Sequence, residues 1–112
     1  MTYHYRVLSI DRVIDGDTVV AIVDLGFSIS MKINFRLSGI NTPEVVGATQ
    51  AAGLAAKAHL EKLLERPTWD VEVQSSKDKY GRYLGRFIVA GVDVNAQMIA
   101  DGHAVAYDGG KR

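Results

Sequence analysis

Asp15 and Asp17 stand two residues apart around Gly16. In extended chain, residues i and i+2 point to the same side, so the two carboxylates can serve one point in space. Hard cations such as calcium take several oxygen ligands of this kind. The same residues also fit an ordinary Asp-Gly hairpin turn carrying two solvated carboxylates. A second cluster runs from Arg36 to Glu44. Arg36 ends a strand-like run on its polar face, and Pro43 fixes the backbone ahead of Glu44. Asn41, the carbonyl of Thr42 and Glu44 are oxygen donors close together in sequence, although Asn-Thr-Pro is also simply a loop. The third cluster is Lys77-Asp78-Lys79-Tyr80-Gly81-Arg82, with Arg86 beyond. Its cations, interleaved with Tyr80 and Tyr83, suit a phosphate backbone and a stacked base. A solvated basic loop has the same composition.

These clusters need elements to hold them. Segment 5–14 is rich in Val and Ile, and the run resumes from Asp17 to Leu25 after the Asp-Gly break. From Phe27 to Leu37 the alternation is clean, with Phe27, Ile29, Met31, Ile33 and Phe35 on one face and Ser28, Ser30, Lys32, Asn34 and Arg36 on the other. That predicts a strand with the first set buried. Residues 48–65 are rich in Ala and other helix formers, and Pro67 supplies a stop. Ala52, Ala56, Leu60 and Leu63 form the apolar stripe of this helix, and Leu54 lies off it. Trp69 heads another alternating run, a polar stretch follows, and a further strand is predicted near 83–90. Asn95 is the predicted N-cap of a short helix ending before Gly102, which suits a C′ position. Three strands, a helix, two strands and a short helix fit a mainly β, α+β architecture: a five-stranded OB-type barrel in a single domain, 1–112.

Composition narrows the classes. Thirteen basic residues balance thirteen acidic ones, which excludes a strongly cationic coat protein but not a local basic groove. The absence of cysteine excludes disulfides, thiolate nucleophiles and zinc-thiolate sites. No apolar run approaches ~18 residues, so no membrane helix is expected. The amino-terminal residues run directly into strand-like sequence without the features of a signal peptide, which makes cytoplasmic the expected location. Without a Gly-x-Ser-x-Gly elbow or a spaced histidine pair, neither a serine hydrolase nor a zinc enzyme is supported. His59 reads as a residue at the edge of the core, His4 and His103 as isolated.

Taken together, Val13-Ile14-Asp15-Gly16-Asp17-Thr18-Val19, Phe35-Arg36-Leu37, Ile40-Asn41-Thr42-Pro43-Glu44, Asp78-Lys79-Tyr80-Gly81-Arg82 and Gly102-His103-Ala104 leading to Tyr107 resemble the staphylococcal nuclease (thermonuclease) family. Order and approximate spacing match over about residues 5–107. The resemblance implies an OB-type barrel and a calcium-dependent phosphodiesterase acting on DNA and RNA. It implies that Asp17 is the main calcium carboxylate, with Asp15 beside it, and that Asn41, the Thr42 carbonyl and Glu44 complete the metal environment. Asn41 occupies the position of an aspartate in the family pattern. Glu44 corresponds to the carboxylate that positions or deprotonates the attacking water, and Arg36 and Arg82 to the arginines on the reacting phosphate. Lys79, Tyr80 and Tyr107 correspond to nucleic-acid contacts.

The chemistry stands independently of the resemblance. Phosphodiester hydrolysis builds negative charge around phosphorus, which a divalent ion and two planar guanidiniums can neutralise. The leading expectation is therefore a metal-dependent nuclease, monomeric, acting on single strands in preference. The alternatives are a catalytically weak barrel that holds single-stranded nucleic acid, and a scaffold domain. Arg36, Glu44 and Arg82 favour the enzyme; Asn41 and the neutral net charge favour the others.

Overall fold

Runs of β-branched residues interrupted by Gly and Asp give long strands joined by tight turns, and the computed structural model, which describes residues 2–66, 68–78 and 80–107, places them as follows. Strands β1 (Thr2–Asp15), β2 (Thr18–Gly26) and β3 (Ile29–Leu37) are followed by the two-residue β4 (Ile40–Asn41) and by helix α1 (Gln50–Leu63), which a 3₁₀ turn, Gly47–Thr49, leads into. After these come β5 (Trp69–Lys77), β6 (Tyr83–Val89), the short β7 (Val92–Asp93), helix α2 (Val94–Ala100) and β8 (Val105–Ala106). The sheet runs β3-β2-β1-β5-β6-β7 and closes through a β3–β6 pairing, so five long strands form a barrel. The mainly β OB-type architecture with two helices is as the sequence predicts. Pro67 lies outside the described residues, and no described helix is long and apolar enough to cross a membrane.

β1 pairs with β5 through its first half and with β2 through its second, with irregularities after Val7, Ile10 and Val13. Such breaks bend a strand and increase its twist, which lets one chain segment turn the corner of a small barrel. β5 continues to Lys77, past the alternating residues that announced it. Closure is parallel and short, pairing Phe35 with Tyr83, Arg36 with Leu84 and Leu37 with Gly85. This pairing brings the end of β3, with Arg36, beside the loop that carries Arg82.

The barrel is filled by Phe35 and Phe87 in an edge-to-face contact at 5.4 Å, with Val19, Val23, Leu37 and Val71 also fully buried. α1 covers one end with Gly53, Ala56 and Leu60, spaced three and four apart as a helix face requires. Ala52, expected on that stripe, is exposed, because the helix is rotated to set Gly53 against the chain. Trp69 packs against the core as expected and donates its indole N–H to the Leu64 carbonyl at 2.8 Å.

Two predicted features are corrected. Only the second half of the β3 apolar face is covered: Phe35 is buried and Ile33 partly so, whereas Phe27, Ile29 and Met31 are exposed. The β2–β3 hairpin outruns the barrel, so no described residue covers its tip. The N-cap of α2 is Asp93, whose carboxylate accepts the Ala96 N–H. Asn95 instead lies buried, donating to the carbonyls of Ser38 (2.8 Å) and Gly85 (3.1 Å) and accepting from the Phe87 N–H at 3.2 Å. A full set of hydrogen bonds makes this buried amide tolerable, and it fixes the end of the barrel that bears Arg36. Gly102 has φ +80° and follows the helix end as expected.

Candidate active site

The β1–β2 turn is tight, since Asp15 pairs with Thr18 across Gly16 and Asp17. Asp15 Oδ1 accepts the Asp17 N–H at 3.1 Å, a local bond typical of Asp in turns. Gly16 is not in the left-handed region; what it supplies is room. A Cβ there would lie 2.8 Å from both Ala56 Cβ and Thr42 Oγ1. The turn therefore packs directly beneath α1 and the segment after β4, and its carboxylates are not a solvated pair.

Asp17 is only 6% exposed, and both its carboxylate oxygens are engaged. Oδ2 accepts the Thr42 N–H at 3.1 Å and faces Arg36 Nη2 at 3.4 Å, while Oδ1 accepts from Thr18 Oγ1 at 3.3 Å. The Asp17 carbonyl also accepts the Leu37 N–H at 2.8 Å. Burial raises the Asp17 pKa to about 6, reinforced by its hydrogen bond with Asp15 and offset in part by the charge of Arg36.

Arg36 is buried, against the expectation of a polar strand face. Besides Asp17 it donates to the Leu37 carbonyl at 2.8 Å and to Asn41 Oδ1 at 3.3 Å, and its guanidinium lies 5.8 Å from the centre of the Tyr107 ring. The Tyr107 N–H donates in turn to the Gly39 carbonyl at 2.9 Å. Arg82 approaches from the far side of the barrel closure, with Nη1 3.3 Å from Thr18 Oγ1 and its guanidinium 5.5 Å from the Tyr80 ring centre. Through Thr18 and directly, the two arginines thus flank one carboxylate, each with a tyrosine beside it.

The sequence reading missed what holds Arg82. Asp78 Oδ1 accepts the N–H groups of Tyr80 (2.9 Å) and Arg82 (2.8 Å), and Oδ2 accepts Arg82 Nε at 2.8 Å. Burial works against the Asp78 charge, but these bonds outweigh it and hold its pKa below the usual range. The Asp-x-x-x-Arg spacing in a Gly-containing loop was the available signal. Asp78→Ala is expected to release both loop and guanidinium and to lower turnover about 10- to 100-fold, since misplacement of roughly 1 Å suffices for such a loss. Full turnover in that variant would show that Arg82 orients itself.

Asn41 and Thr42 reach the same centre, Asn41 on Arg36 and Thr42 on Asp17. The Thr42 hydroxyl, buried against Gly16, finds no hydrogen-bond partner among the described residues. Among the described residues no three Asp, Glu or His side chains form a metal-holding group, so Glu44 does not complete one with Asp15 and Asp17. Its backbone is clamped, however, because Thr49 Oγ1 donates to its carbonyl at 3.0 Å and Gly53 leaves no space for a Cβ beside it. An open pocket of about 450 Å³ lies next to it, between Asn41, Pro43, Glu44 and Thr49 on one side and His103 and Val105 on the other. Tyr80 is exposed at the rim of the Arg82 loop. Lys79 lies outside the described residues. Arg86 belongs elsewhere, bridging Glu72 and Asp93 on the barrel wall. Nor are the histidines isolated. His4 pairs with Glu72 at 3.0 Å, while His59 meets Asp101 at 2.6 Å and stacks on His103 at 4.4 Å, tying α1 to the end of α2.

A closed five-stranded barrel with two helices defines the chain as an OB-type protein, and at one end of it two arginines gather beside a buried aspartate. Residues 34–112 match the family model of staphylococcal nuclease homologues, and the chain belongs to that family. Comparison with curated proteins gives no match. The matched stretch includes Arg36, Glu44 and Arg82 but begins after Asp15 and Asp17, so it is the bonds from Leu37, Thr42 and Arg36 that join the acidic turn to the family's segment. Membership carries a nuclease or nucleic-acid-binding function.

Proposed function

We propose that this protein is a calcium-dependent phosphodiesterase that cuts both DNA and RNA, preferring single strands. The observation that carries the reading is the meeting of Arg36 and Arg82, from opposite sides of the barrel closure, around the buried Asp17. The donors fit a hard cation: the carboxylates of Asp15 and Asp17, of which Asp17 has a raised proton affinity, a Thr42 hydroxyl with no hydrogen-bond partner among the described residues, and no sulfur. Asp15, Asp17, the Thr42 carbonyl and the amide oxygen of Asn41 would hold it. Bound there, calcium supplies Lewis-acid relief of charge on the phosphoryl oxygens.

The chain's own residues do the rest. Arg36 and Arg82 present planar donors to the equatorial oxygens of the phosphate, where they strengthen as charge develops. Glu44 holds the attacking water and takes its proton, a contribution of about 10²- to 10⁴-fold for a positioned base. Tyr80 and Tyr107 limit how the strand lies over the arginines, and Lys79 contacts a neighbouring phosphate. The pocket beside Glu44 has no Lys or Arg among its lining residues, which suits an uncharged sugar and base. Unpaired bases are free to enter it, whence the preference for single strands.

That Asp15, Asp17 and Glu44 form no three-carboxylate group among the described residues favours a second reading, a barrel that holds single strands without cutting them. Incubation with single- and double-stranded DNA and RNA in calcium, in magnesium and in chelator decides between them. Cleavage is expected with calcium and is lost in chelator. Cleavage undiminished in chelator would overturn the calcium mechanism, and binding without cleavage in any metal would establish the second reading.

A further inference from the structure

The β2–β3 hairpin carries an apolar surface that neither the barrel nor the proposed site uses. Leu25, Phe27, Ile29 and Met31 are 37%, 98%, 56% and 54% exposed. Phe27 and Ser28, the two turn residues, have φ of 55° and 62°, a conformation that Gly or Asn adopts without strain and a bulky residue does not. An aromatic held outward at a strained tip points to a function for that tip. Beside it, β3 is covered on one edge by β2 but on the other only from Phe35 onward, by β6. Among the described residues no strand pairs with the outer edge of residues 29–34, so alternate N–H and C=O groups there are presented outward. An edge of this kind accepts another strand.

We propose that two copies of this chain pair β3 to β3 in antiparallel fashion about a two-fold axis at Met31. The sequence of the edge fits that partner and that register. Centring on Met31 sets Met31 opposite its own copy and Ile29 opposite Ile33, which makes one continuous apolar row along the paired strands. On the other face Lys32 falls opposite Ser30. Shifting by one residue either way along the pair mixes apolar with polar side chains on each face. Centring on Lys32 opposes two like charges, which cross-strand pairing disfavours. Lys32, held near Asp11 at 3.8 Å, thus acts against wrong registers while fitting the right one. β6 and the strained turn bound the open edge, so the contact closes on itself and does not propagate.

Pairing also leaves the site clear. Met31 lies across from Val23, six residues along β2 from Asp17, about 20 Å at the rise of a strand. The two sites would face outward from the ends of an elongated pair, each protomer being already 45 Å long. The interface belongs with the smaller specific ones, ~1,200 Å² in total, so association is expected in the micromolar range. This proposal departs from the sequence expectation of a monomer.

Because the chain has no cysteine, single thiols report the register. Cα atoms directly opposite in an antiparallel pair are about 4.5–5.5 Å apart, within disulfide reach. Met31→Cys should therefore oxidise to a covalent dimer at low protein concentration. Lys32→Cys, on the opposite face and two residues out of alignment with its copy, should remain monomeric on reducing-agent-free gels. Sedimentation of the unmodified chain should change from monomer to dimer between low micromolar and near-millimolar concentration. Met31→Lys should weaken that association more than tenfold. Hydrogen exchange at residues 29–33 should slow in the dimer. A single monomeric species throughout, equal oxidation of the two cysteine variants, or an undiminished dimer in Met31→Lys would each overturn the proposal. None of these readouts is cleavage, so the proposal stands or falls apart from the nuclease reading.

Discussion

Gly53→Ala is expected to lower turnover about 10²-fold although Gly53 touches no substrate. A Cβ at this position would lie 2.1 Å from the Glu44 carbonyl oxygen, 2.4 Å from its carbon and 2.7 Å from the Val45 nitrogen. All three are backbone atoms, so no side chain can turn away to relieve the clash. Thr49 donates its hydroxyl to the same carbonyl at 3.0 Å. Either α1 or the Glu44 segment must therefore move by about an ångström, the scale on which catalytic alignment fails. Since Ala favours a helix over Gly by about 1 kcal/mol, the substitution would stabilise the protein if the contact were slack. The informative measurement pairs kcat and KM with thermal melting, alongside Leu54→Ala on the exposed face of the same helix. The expected result is a fall in kcat with a lowered melting temperature at Gly53 and near-normal values at Leu54. Normal turnover with a raised melting temperature would mean that α1 slides freely and does not position Glu44.

What the sequence could and could not reveal follows from the range of each interaction. Alternation, turn residues and the Ala-rich run are local, and they placed the long strands and both helices. The residues proposed for the site drew attention because carboxylates, guanidiniums and tyrosines in those three segments have few other uses in combination. The contacts that organise them were not. Thr18 meeting Arg82, Asn95 tying Ser38 to Gly85 and Gly53 lying under Glu44 each join residues remote in sequence, and none leaves a local pattern. Gly16 and Gly53 illustrate the limit. Glycine in a turn or helix is read for its backbone freedom, whereas here both are needed for the space they leave. The β3 face failed for a related reason. Period-2 alternation from Phe27 to Phe35 says which residues share a side, but only the barrel's dimensions decide that Phe35 is covered and Phe27 is not. Arg36 reads as polar and is buried, because its charge is balanced by an aspartate nineteen residues earlier.

Asp17→Asn is expected to reduce turnover by ~10³-fold or more, the several kcal/mol associated with a cation acting on phosphoryl oxygens, and to change how stability depends on pH. The amide oxygen can keep the bonds from Thr42 and Arg36, and the new NH₂ can face Thr18 Oγ1, so the turn need not unravel. In the unsubstituted protein the Asp17 pKa rises from 3.8 to about 6, chiefly through burial. A folded-state pKa above the unfolded one means that folding favours the protonated carboxyl. Its contribution to stability is fully present below pH 3.8 and is lost as pH climbs through about 6. Without metal, the melting temperature of the unsubstituted protein relative to Asp17→Asn should therefore fall between pH 4 and pH 7. Asp78, Glu72 and Asp101, whose pKa values are lowered, act in the opposite sense, but they are common to both proteins and cancel in the difference. Calcium should reverse the trend, since it replaces the proton that Asp17 would otherwise hold. Its stabilising effect should be large at pH 7, smaller at pH 5 and nearly absent from Asp17→Asn. Melting curves of both proteins at pH 4, 5, 6 and 7, with calcium and with chelator, separate these contributions. A melting difference that does not change with pH would mean that Asp17 is ionised throughout, and a variant that binds calcium and cuts normally would remove Asp17 from the site.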